Sequence, residues 1–322
     1  MLDYQPYYSN GITNIKMLFR KAISNTLFFP QYVIRNSKFN SFIKMEQLSK
    51  HCTQNNQLKE VANEYEVLLI GSDQVWNPNY LCGKDSAYTL QFSDSKNKMS
   101  YAASIGTEDI SNEELKTLLQ KIKSFKYVSV REESSAVLLQ KHGRADAKYV
   151  LDPVFLHESE YYRNLQSSSK DKGYILAYIM NRDPLIEKLV NEAAKKYNKK
   201  VVQVGGFMSK CRCDKFYRAA GPRDFLALID GADYVITSSF HGASFSHIYH
   251  KQFLVVMPPA NQLRLLNILQ TAGTTNRIAK SVDDLAILDH PIDYNIVDKR
   301  LNNIKQISKQ YLINSLNEMG DR

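Results

Sequence analysis

Residues 235–250 read VITSSFHGASFSHIYH, and this stretch decides the fold of the second half of the chain. Its first three residues are β-branched, which favours a strand. The apolar side chains at positions 245, 248 and 249 have the spacing of a helix. A strand that leads directly into a helix is typical of a parallel sheet that is covered by helices.

The same alternation of short apolar runs and helical patterns recurs along the chain, in two series. The first series predicts strands at 67–70, 99–103, 127–130 and 149–151, and the second at 174–179, 200–204, 234–237 and 252–256. The predicted helices lie at 111–125, 133–141, 184–197, 222–230, 241–250 and 261–271. This alternation predicts an α/β protein with two Rossmann-like domains.

A polar segment at 157–172 separates the two series and predicts the linker between the domains. We therefore expect a first domain over 1–156 and a second over 157–295. A helical pattern over 297–318, within the remaining segment 296–322, predicts a terminal helix that packs back on the first domain.

Composition limits the class of protein. The chain has 322 residues, of which 43% are apolar and 23% charged, as in ordinary globular proteins. No apolar run reaches the roughly 20 residues of a membrane span, and the first residues lack the pattern of a signal peptide. The four cysteines form neither a zinc pattern nor a disulfide framework. We expect a cytoplasmic protein without a metal or a bound cofactor.

The formal net charge of +9 indicates attraction to an anion, or simply a solvated basic surface. No motif of a nucleic-acid-binding protein is present. Neither a P-loop nor a glycine-rich dinucleotide fingerprint is present. These observations favour a small anionic substrate, or one linked to a lipid phosphate.

Ligands in such sheets bind beyond the carboxyl ends of the strands. His241 follows the strand at 234–237, where Ser238 or Ser239 can cap the next helix and the N–H groups near Gly242 can bind an anion. A histidine there can transfer a proton, or can merely cap the helix.

Arg131 directly follows the strand at 127–130, so it should emerge towards the same cleft. Its guanidinium suits bidentate binding of a carboxylate or phosphate. The alternative is a structural salt bridge with Glu132, Glu133 or Asp152.

Five motifs occur in order along the chain: IGSDQVWN at 70–77, YAASIG at 101–106, SVRE at 129–132, VLDPV at 150–154 and TSSFHG at 237–242. This set resembles the polysaccharide pyruvyl transferase family. The resemblance implies a glycosyltransferase-B-like arrangement of the two domains. It also implies transfer of a pyruvyl group from phosphoenolpyruvate to two hydroxyls of a sugar, in bacterial capsules, exopolysaccharides or cell-wall polymers.

The family's histidine matches His241, which we expect to act as catalytic acid or base, and its arginine matches Arg131. The acceptor would be a sugar of a surface polysaccharide or its lipid-linked precursor, which is compatible with peripheral membrane association. The residues expected to bind substrate are Arg131, Ser239, Phe240, Gly242, Arg264, Ser72 and Asp73. For Asp73, orientation of the acceptor and capping of a turn are equal alternatives.

Two departures from the family's pattern bear on activity. Many members carry an arginine where this chain has Ser239, so another cation must hold the donor; Arg264 is the nearest candidate in sequence order. Members also begin with a β–α unit that precedes the motif matched by Asp3–Pro6, and we expect that this first unit is missing here. The alternatives are a nucleotide-sugar glycosyltransferase of similar fold and an inactive, glycan-binding relative.

Overall fold

The computed structural model describes residues 1–4, 29–169, 171–180, 182–205, 209–260 and 262–320. The first half contains six short strands. They are β1 (Asp3–Tyr4), β2 (His51–Cys52), β3 (Leu68–Gly71), β4 (Lys98–Tyr101), β5 (Ser129–Val130) and β6 (Lys148–Tyr149). The helices described here are α1 (Phe29–Ile43), α2 (Asn55–Ala62), α3 (Leu81–Lys84), α4 (Asn112–Lys121) and α5 (Glu133–Lys141).

All strand pairs in the first half are parallel: β1 with β2, β3 with β4, and β5 with β6. Isolated bridges from Met99 to Tyr127 and from Ala103 to Val130 link β4 to β5. The strands from β3 to β6 therefore run side by side and place their carboxyl ends at one edge.

The second half contains one five-stranded parallel sheet. Its strands are β7 (Tyr174–Ile179), β8 (Val201–Gly205), β9 (Lys215–Phe216), β10 (Ala232–Thr237) and β11 (Gln252–Val255), in the spatial order β11-β10-β7-β8-β9. Its helices are α6 (Ser159–Leu165), α7 (Pro184–Lys196), α8 (Pro222–Gly231), α9 (Phe240–Ile248) and α10 (Leu263–Ala272), and α11 (Tyr294–Gly320) follows.

Both faces of the second sheet are buried, as the apolar strands predict. Along β7, Ile175, Ala177 and Ile179 belong to one core cluster, whereas Tyr174 and Leu176 belong to another. Successive side chains of a strand point to opposite faces, so helices must cover the sheet on both sides. The predicted α/β class with parallel sheets is confirmed.

The predicted elements occur with small differences in their bounds. The strand at 174–179 and the helix at 133–141 have the predicted limits. Asp183 caps α7 by accepting hydrogen bonds from the N–H groups of Leu185 (2.7 Å) and Ile186 (3.1 Å), before a proline at the first helical position. Helices α1 and α2 were not predicted.

The prediction of a linker over 157–172 was wrong in part, because this segment contains α6. Tyr162 on this helix is buried, and its ring lies 5.0 Å from the ring of Phe245 on α9. Although the segment is polar overall, one face of α6 is apolar and packs on the second half.

The terminal helix α11 contacts the first half along much of its length. The hydroxyl of Tyr311 donates to the carbonyl of Ser100 (3.0 Å), and the hydroxyl of Ser308 accepts from the N–H of Leu151 (2.9 Å). Near its end, the carbonyl of Met319 accepts from the amide of Asn97 (3.0 Å). Across the described residues, no helix combines the length and the hydropathy needed to cross a membrane.

We predict that Ser308→Ala lowers the free energy of unfolding by about 1–3 kcal/mol, because the buried N–H of Leu151 would lose its acceptor. Chemical denaturation checks this value. The matched control is Ser37→Ala on the exposed surface of α1, where we expect little change. Equal stability of the two variants would contradict the proposed role of Ser308 in docking the helix.

Candidate active site

Polar side chains from both halves meet where the strands end. Asp73 follows β3, Arg131 follows β5 and Asp152 follows β6, whereas His241 lies in the first turn of α9 and Arg264 in the first turn of α10. In parallel sheets such strand ends are the usual place for a ligand. Five side chains that are far apart in sequence therefore form one cluster.

The corner between β10 and α9 is tightly packed. The hydroxyl of Thr237 accepts from the N–H of Ser239 (3.0 Å) and donates to the carbonyl of Tyr178 (2.8 Å). A Cβ at Gly242 would lie 2.4 Å from the Oγ of Thr237, so only glycine fits there. Ser239 holds the N-cap position, but its side chain makes no capping hydrogen bond, contrary to the prediction.

His241 is held beside four charged groups. Burial lowers the pKa of its imidazole, and the positive charges of Arg131 and Arg264 act in the same direction. The negative charges of Asp152 and Asp73 oppose this shift. The net direction is downward, so the imidazole is neutral at neutral pH and can accept a proton.

Arg131 is only 2% exposed and is fixed by carboxylates. Its Nη1 lies 2.5 Å from Asp152 Oδ2, and the same oxygen accepts from the hydroxyl of Ser72 (2.9 Å). Its Nε lies 3.7 Å from Glu132 Oε1. The salt bridges that the sequence left open as an alternative therefore exist, with Asp152 and Glu132.

Asp73 contacts two arginines, Arg131 from its own half and Arg264 from the second half. Its Oδ1 lies 3.0 Å from Arg264 Nη1 and 3.5 Å from Arg131 Nη2. The Asp73 side chain is nevertheless 70% exposed. Arg264 therefore reaches the site of Arg131, as the sequence order suggested. The carboxylate of Asp73, which both arginines contact, faces solvent.

The backbone that carries Asp73 is strained. Ser72 and Asp73 have φ values of 36° and 65°, which residues other than glycine rarely adopt. Such conformations persist only where surrounding contacts hold them, and they cluster at functional sites. Here those contacts are the bonds from Ser72 to Asp152 and from Asp73 to the arginines.

Phe240 forms one wall of the cluster. Its ring centroid lies 4.8 Å from the guanidinium carbon of Arg131 and 5.9 Å from that of Arg264. A ring face within about 6 Å of a cation attracts it, so Phe240 keeps both guanidinium groups turned towards the same space.

From the sequence, Glu132 was named only as a possible partner of Arg131, and Asn267 was missed. Glu132 is completely buried, accepts a hydrogen bond from Ser104 (2.5 Å) and has its pKa raised by burial. Asn267 on α10 donates to the carbonyl of Arg131 (3.3 Å) and accepts from the N–H of Glu133 (2.9 Å). Asn267 lies one helical turn from Arg264 and so sets its position.

The structure thus brings together Asp73, Arg131, Phe240, His241 and Arg264. Ser72 joins them through Asp152. Ser239 and Gly242 lie in the tightly packed corner between β10 and α9, which carries His241. Ser239 is buried. From the second half, α10 supplies a cation of this site, Arg264.

A sequence profile described as polysaccharide pyruvyl transferase matches residues 10–258. The chain belongs to the polysaccharide pyruvyl transferase family. The resemblance drawn from the five motifs is confirmed, and with it membership of a transferase family that acts on saccharides. No curated protein matches the chain in a sequence comparison.

Solved structures similar to this family member include three with glycan-related names. The UDP-GlcNAc 2-epimerase from Neisseria meningitidis is 12% identical, with 81% of this chain and 80% of that chain covered and a TM-score of 0.47. A glycosyltransferase from Rickettsia africae is 11% identical, with coverages of 97% and 98% and a TM-score of 0.43. The wall teichoic acid polymerase TagF is 9% identical, with coverages of 96% and 100% and a TM-score of 0.39. Similarity at this level carries no information on activity.

We predict that His241 titrates with a pKa below the ordinary value of about 6.5. The reason is burial near two guanidinium groups, which outweighs the two carboxylates. Nitrogen-15 NMR titration of the imidazole checks this, with the signal assigned by its loss in His241→Asn. A midpoint at or above 6.5 would contradict the neutral imidazole.

Proposed function

We propose that the protein transfers a pyruvyl group from phosphoenolpyruvate to two hydroxyls of a sugar, forming a ketal and releasing phosphate. The observation that carries this proposal is the convergence of Arg131 and Arg264 on one carboxylate beside His241. Two guanidinium groups aimed at one point suit a small polyanion. Phosphoenolpyruvate carries a carboxylate and a phosphate.

The donor would replace the carboxylate of Asp73. This carboxylate is largely exposed. Its Oδ1 accepts from the N–H of Gln74 (2.9 Å) and from two guanidinium groups that a second anion could also engage. Asp152, in contrast, is 3% exposed and stays with Arg131 and Ser72. Arg264 and the Nη2 of Arg131 would thus face the donor, while Asp152 holds Arg131 in place.

The chemistry needs one proton acceptor. Neutral His241 would accept the proton of the first sugar hydroxyl as its oxygen attacks C2 of the donor. Protonated His241 gives this proton to the methylene carbon C3, which becomes a methyl group, and the imidazole is neutral again. The bond from C2 to the phosphate oxygen then breaks, and the second hydroxyl bonds to C2 while its proton leaves with the phosphate.

The acceptor is a sugar of a bacterial surface polysaccharide or its lipid-linked precursor, and the reaction takes place in the cytoplasm, at the inner face of the membrane when the acceptor is lipid-linked. Asp73, once displaced from the arginines, would be free to accept a hydrogen bond from a sugar hydroxyl. Of the two alternatives left open for Asp73, this role is the orientation of the acceptor. The bond from the N–H of Gln74 to Oδ1 (2.9 Å) corresponds to the other alternative, the capping of a turn.

The test offers the purified protein isotope-labelled phosphoenolpyruvate and a labelled nucleotide sugar in parallel, with bacterial cell-envelope saccharides as acceptors. We expect label from phosphoenolpyruvate in the saccharide and an equal amount of phosphate released. Label from the nucleotide sugar alone would overturn the proposal in favour of a glycosyltransferase. Retention of the saccharide without transfer of either label would identify a glycan-binding relative.

We predict that His241→Gln lowers turnover by a factor on the order of 10²–10⁴, the usual loss for an acid–base group. Glutamine keeps a polar side chain of similar length but cannot accept a proton at neutral pH. Phosphate release is the measurement, with thermal unfolding as a check on the fold. Wild-type turnover in the variant would remove His241 from the mechanism.

We predict that Arg264→Ala weakens binding of phosphoenolpyruvate by roughly ten- to a hundredfold, as expected for a lost charge-assisted contact. Ser239→Arg in the same chain should restore part of the affinity. Calorimetric titration of both single variants and the double variant measures this. The matched control is Arg212→Ala, whose exposed side chain pairs only with Asp214. Unchanged affinity in Arg264→Ala would leave Arg131 as the donor's cation.

A further inference from the structure

Helix α1 exposes a stripe of large apolar side chains. No residue of α1 is buried. Five of its apolar side chains are between 37% and 59% exposed: Phe29, Tyr32, Val33, Phe39 and Ile43. Because a helix turns about 100° per residue, these five lie within a sector of about 120°, which also contains Asn36 and Asn40. Exposed apolar patches of this kind mark sites of interaction.

The opposite side of α1 is the one that packs on the protein. Lys38 lies on that side, and its Nζ is 2.7 Å from Asp224 Oδ2 on α8. A Cβ at Gly221 would lie 2.6 Å from the Cβ of Lys38, so the backbones approach closely there. An amphipathic helix of a globular protein normally turns its apolar side inwards. Helix α1 does the reverse and presents its apolar stripe to solvent.

Two cations border the apolar stripe. Lys44 continues the helical path of α1, because its N–H donates to the carbonyl of Asn40 (2.9 Å). On this path Arg35 lies at one border, with its guanidinium carbon 5.4 Å from the ring of Phe39, and Lys44 lies at the other. Within the described residues, neither cation pairs with a carboxylate.

The stripe belongs to a strongly basic part of the chain. Residues 4–50 contain seven Lys or Arg residues and one acidic residue, Glu46. Anionic lipids attract such segments. A second copy of the chain fits less well, because a two-fold interface would place the same basic surface opposite itself.

We infer that α1 docks the protein on an anionic lipid surface. The apolar stripe would lie at the boundary between headgroups and acyl chains, as in other interfacial helices. The long side chains of Arg35 and Lys44 would extend along this boundary and bring their charges to the lipid phosphates. This docking does not depend on the proposed function, because it needs neither the donor nor the acceptor.

The contacts of α1 connect it to the candidate active site. Asp224, the partner of Lys38, precedes Phe225, whose ring lies 4.8 Å from that of Tyr178. The carbonyl of Tyr178 accepts from the hydroxyl of Thr237, at the corner that carries His241. A docked α1 would therefore hold this corner near the lipid surface, where a lipid-linked acceptor lies. Only this last step rests on the proposed function.

The experiment sediments the full chain, without donor or acceptor, with two kinds of vesicle. One kind is phosphatidylcholine alone, and the other contains about 30% phosphatidylglycerol as the anionic lipid. We expect binding to the anionic vesicles to be tighter by about tenfold or more, and to weaken as salt is added, because two cations meet lipid phosphates.

The first variant carries Val33→Gln and Phe39→Gln within the apolar stripe. It should bind the anionic vesicles at least about tenfold more weakly, because two apolar side chains can no longer leave water. The matched control carries Ile313→Gln and Leu316→Gln on α11, whose side chains are 51% and 38% exposed, and should bind as the unchanged chain does. Thermal unfolding checks that each variant folds.

The second variant carries Arg35→Gln and Lys44→Gln, and it should bind the two kinds of vesicle about equally. Absence of vesicle binding by the unchanged chain would overturn the inference. Unchanged binding in the stripe variant, or an equal loss in the α11 control, would also overturn it, the latter by showing general adsorption.

Two further results would assign the stripe to another occupant and so overturn the inference. A dimer that only the stripe variant dissociates, with no vesicle binding, would identify a second copy of the chain. Protection of Phe39 from hydroxyl-radical labelling in the vesicle-free monomer would show that the chain itself covers the stripe. Vesicle binding without pyruvyl transfer would support the docking and count against the proposed function alone.

Discussion

The positive charge of Arg131, buried to 98%, is the constraint on which the candidate site depends. A buried charge without a partner costs several kcal/mol, so carboxylates must surround it. Asp152 supplies the closest one at 2.5 Å, and Ser72 fixes the same oxygen. Arg131 follows β5, Asp152 follows β6 and Ser72 follows β3. The ion pair and the hydrogen bond from Ser72 therefore connect the ends of three strands. The strained backbone at Ser72 and Asp73 is held by the same contacts.

The second half supplies a cation to this cluster through α10. Strand β11 is the neighbour of β10 in the sheet, so the helix after β11 starts beside the corner that holds His241. Asn267 fixes this helix against the carbonyl of Arg131 and the first turn of α5. Arg264 is then one turn away and reaches Asp73 at 3.0 Å. The cation beside the corner that carries Ser239 thus comes from a neighbouring element.

Local patterns in the sequence predict most of this arrangement. The apolar runs predict the main strands, and the rule that ligands bind at strand ends places His241, Arg131 and Arg264 at one edge. The pairing of Asp152 with Arg131 was one of three alternatives, because sequence order does not show which carboxylate a buried arginine selects. The burial of Glu132 and the contacts of Asn267 depend on how the halves meet, which has no local signal.

The carboxylate of Asp73 explains how two arginines can lie close together when no other anion is bound between them. Two guanidinium groups that face each other repel, and the exposed carboxylate between them lowers this cost. In the proposed reaction, an incoming anion would take the place of this carboxylate, so the arginines would keep their orientation and little reorganisation would be needed. Preorganised charges of this kind account for much of the stabilisation that enzymes give to developing negative charge. Because Asp73 is exposed while Asp152 is buried, the exchange would release the outer carboxylate and leave the inner ion pair, and with it the three strand ends, undisturbed.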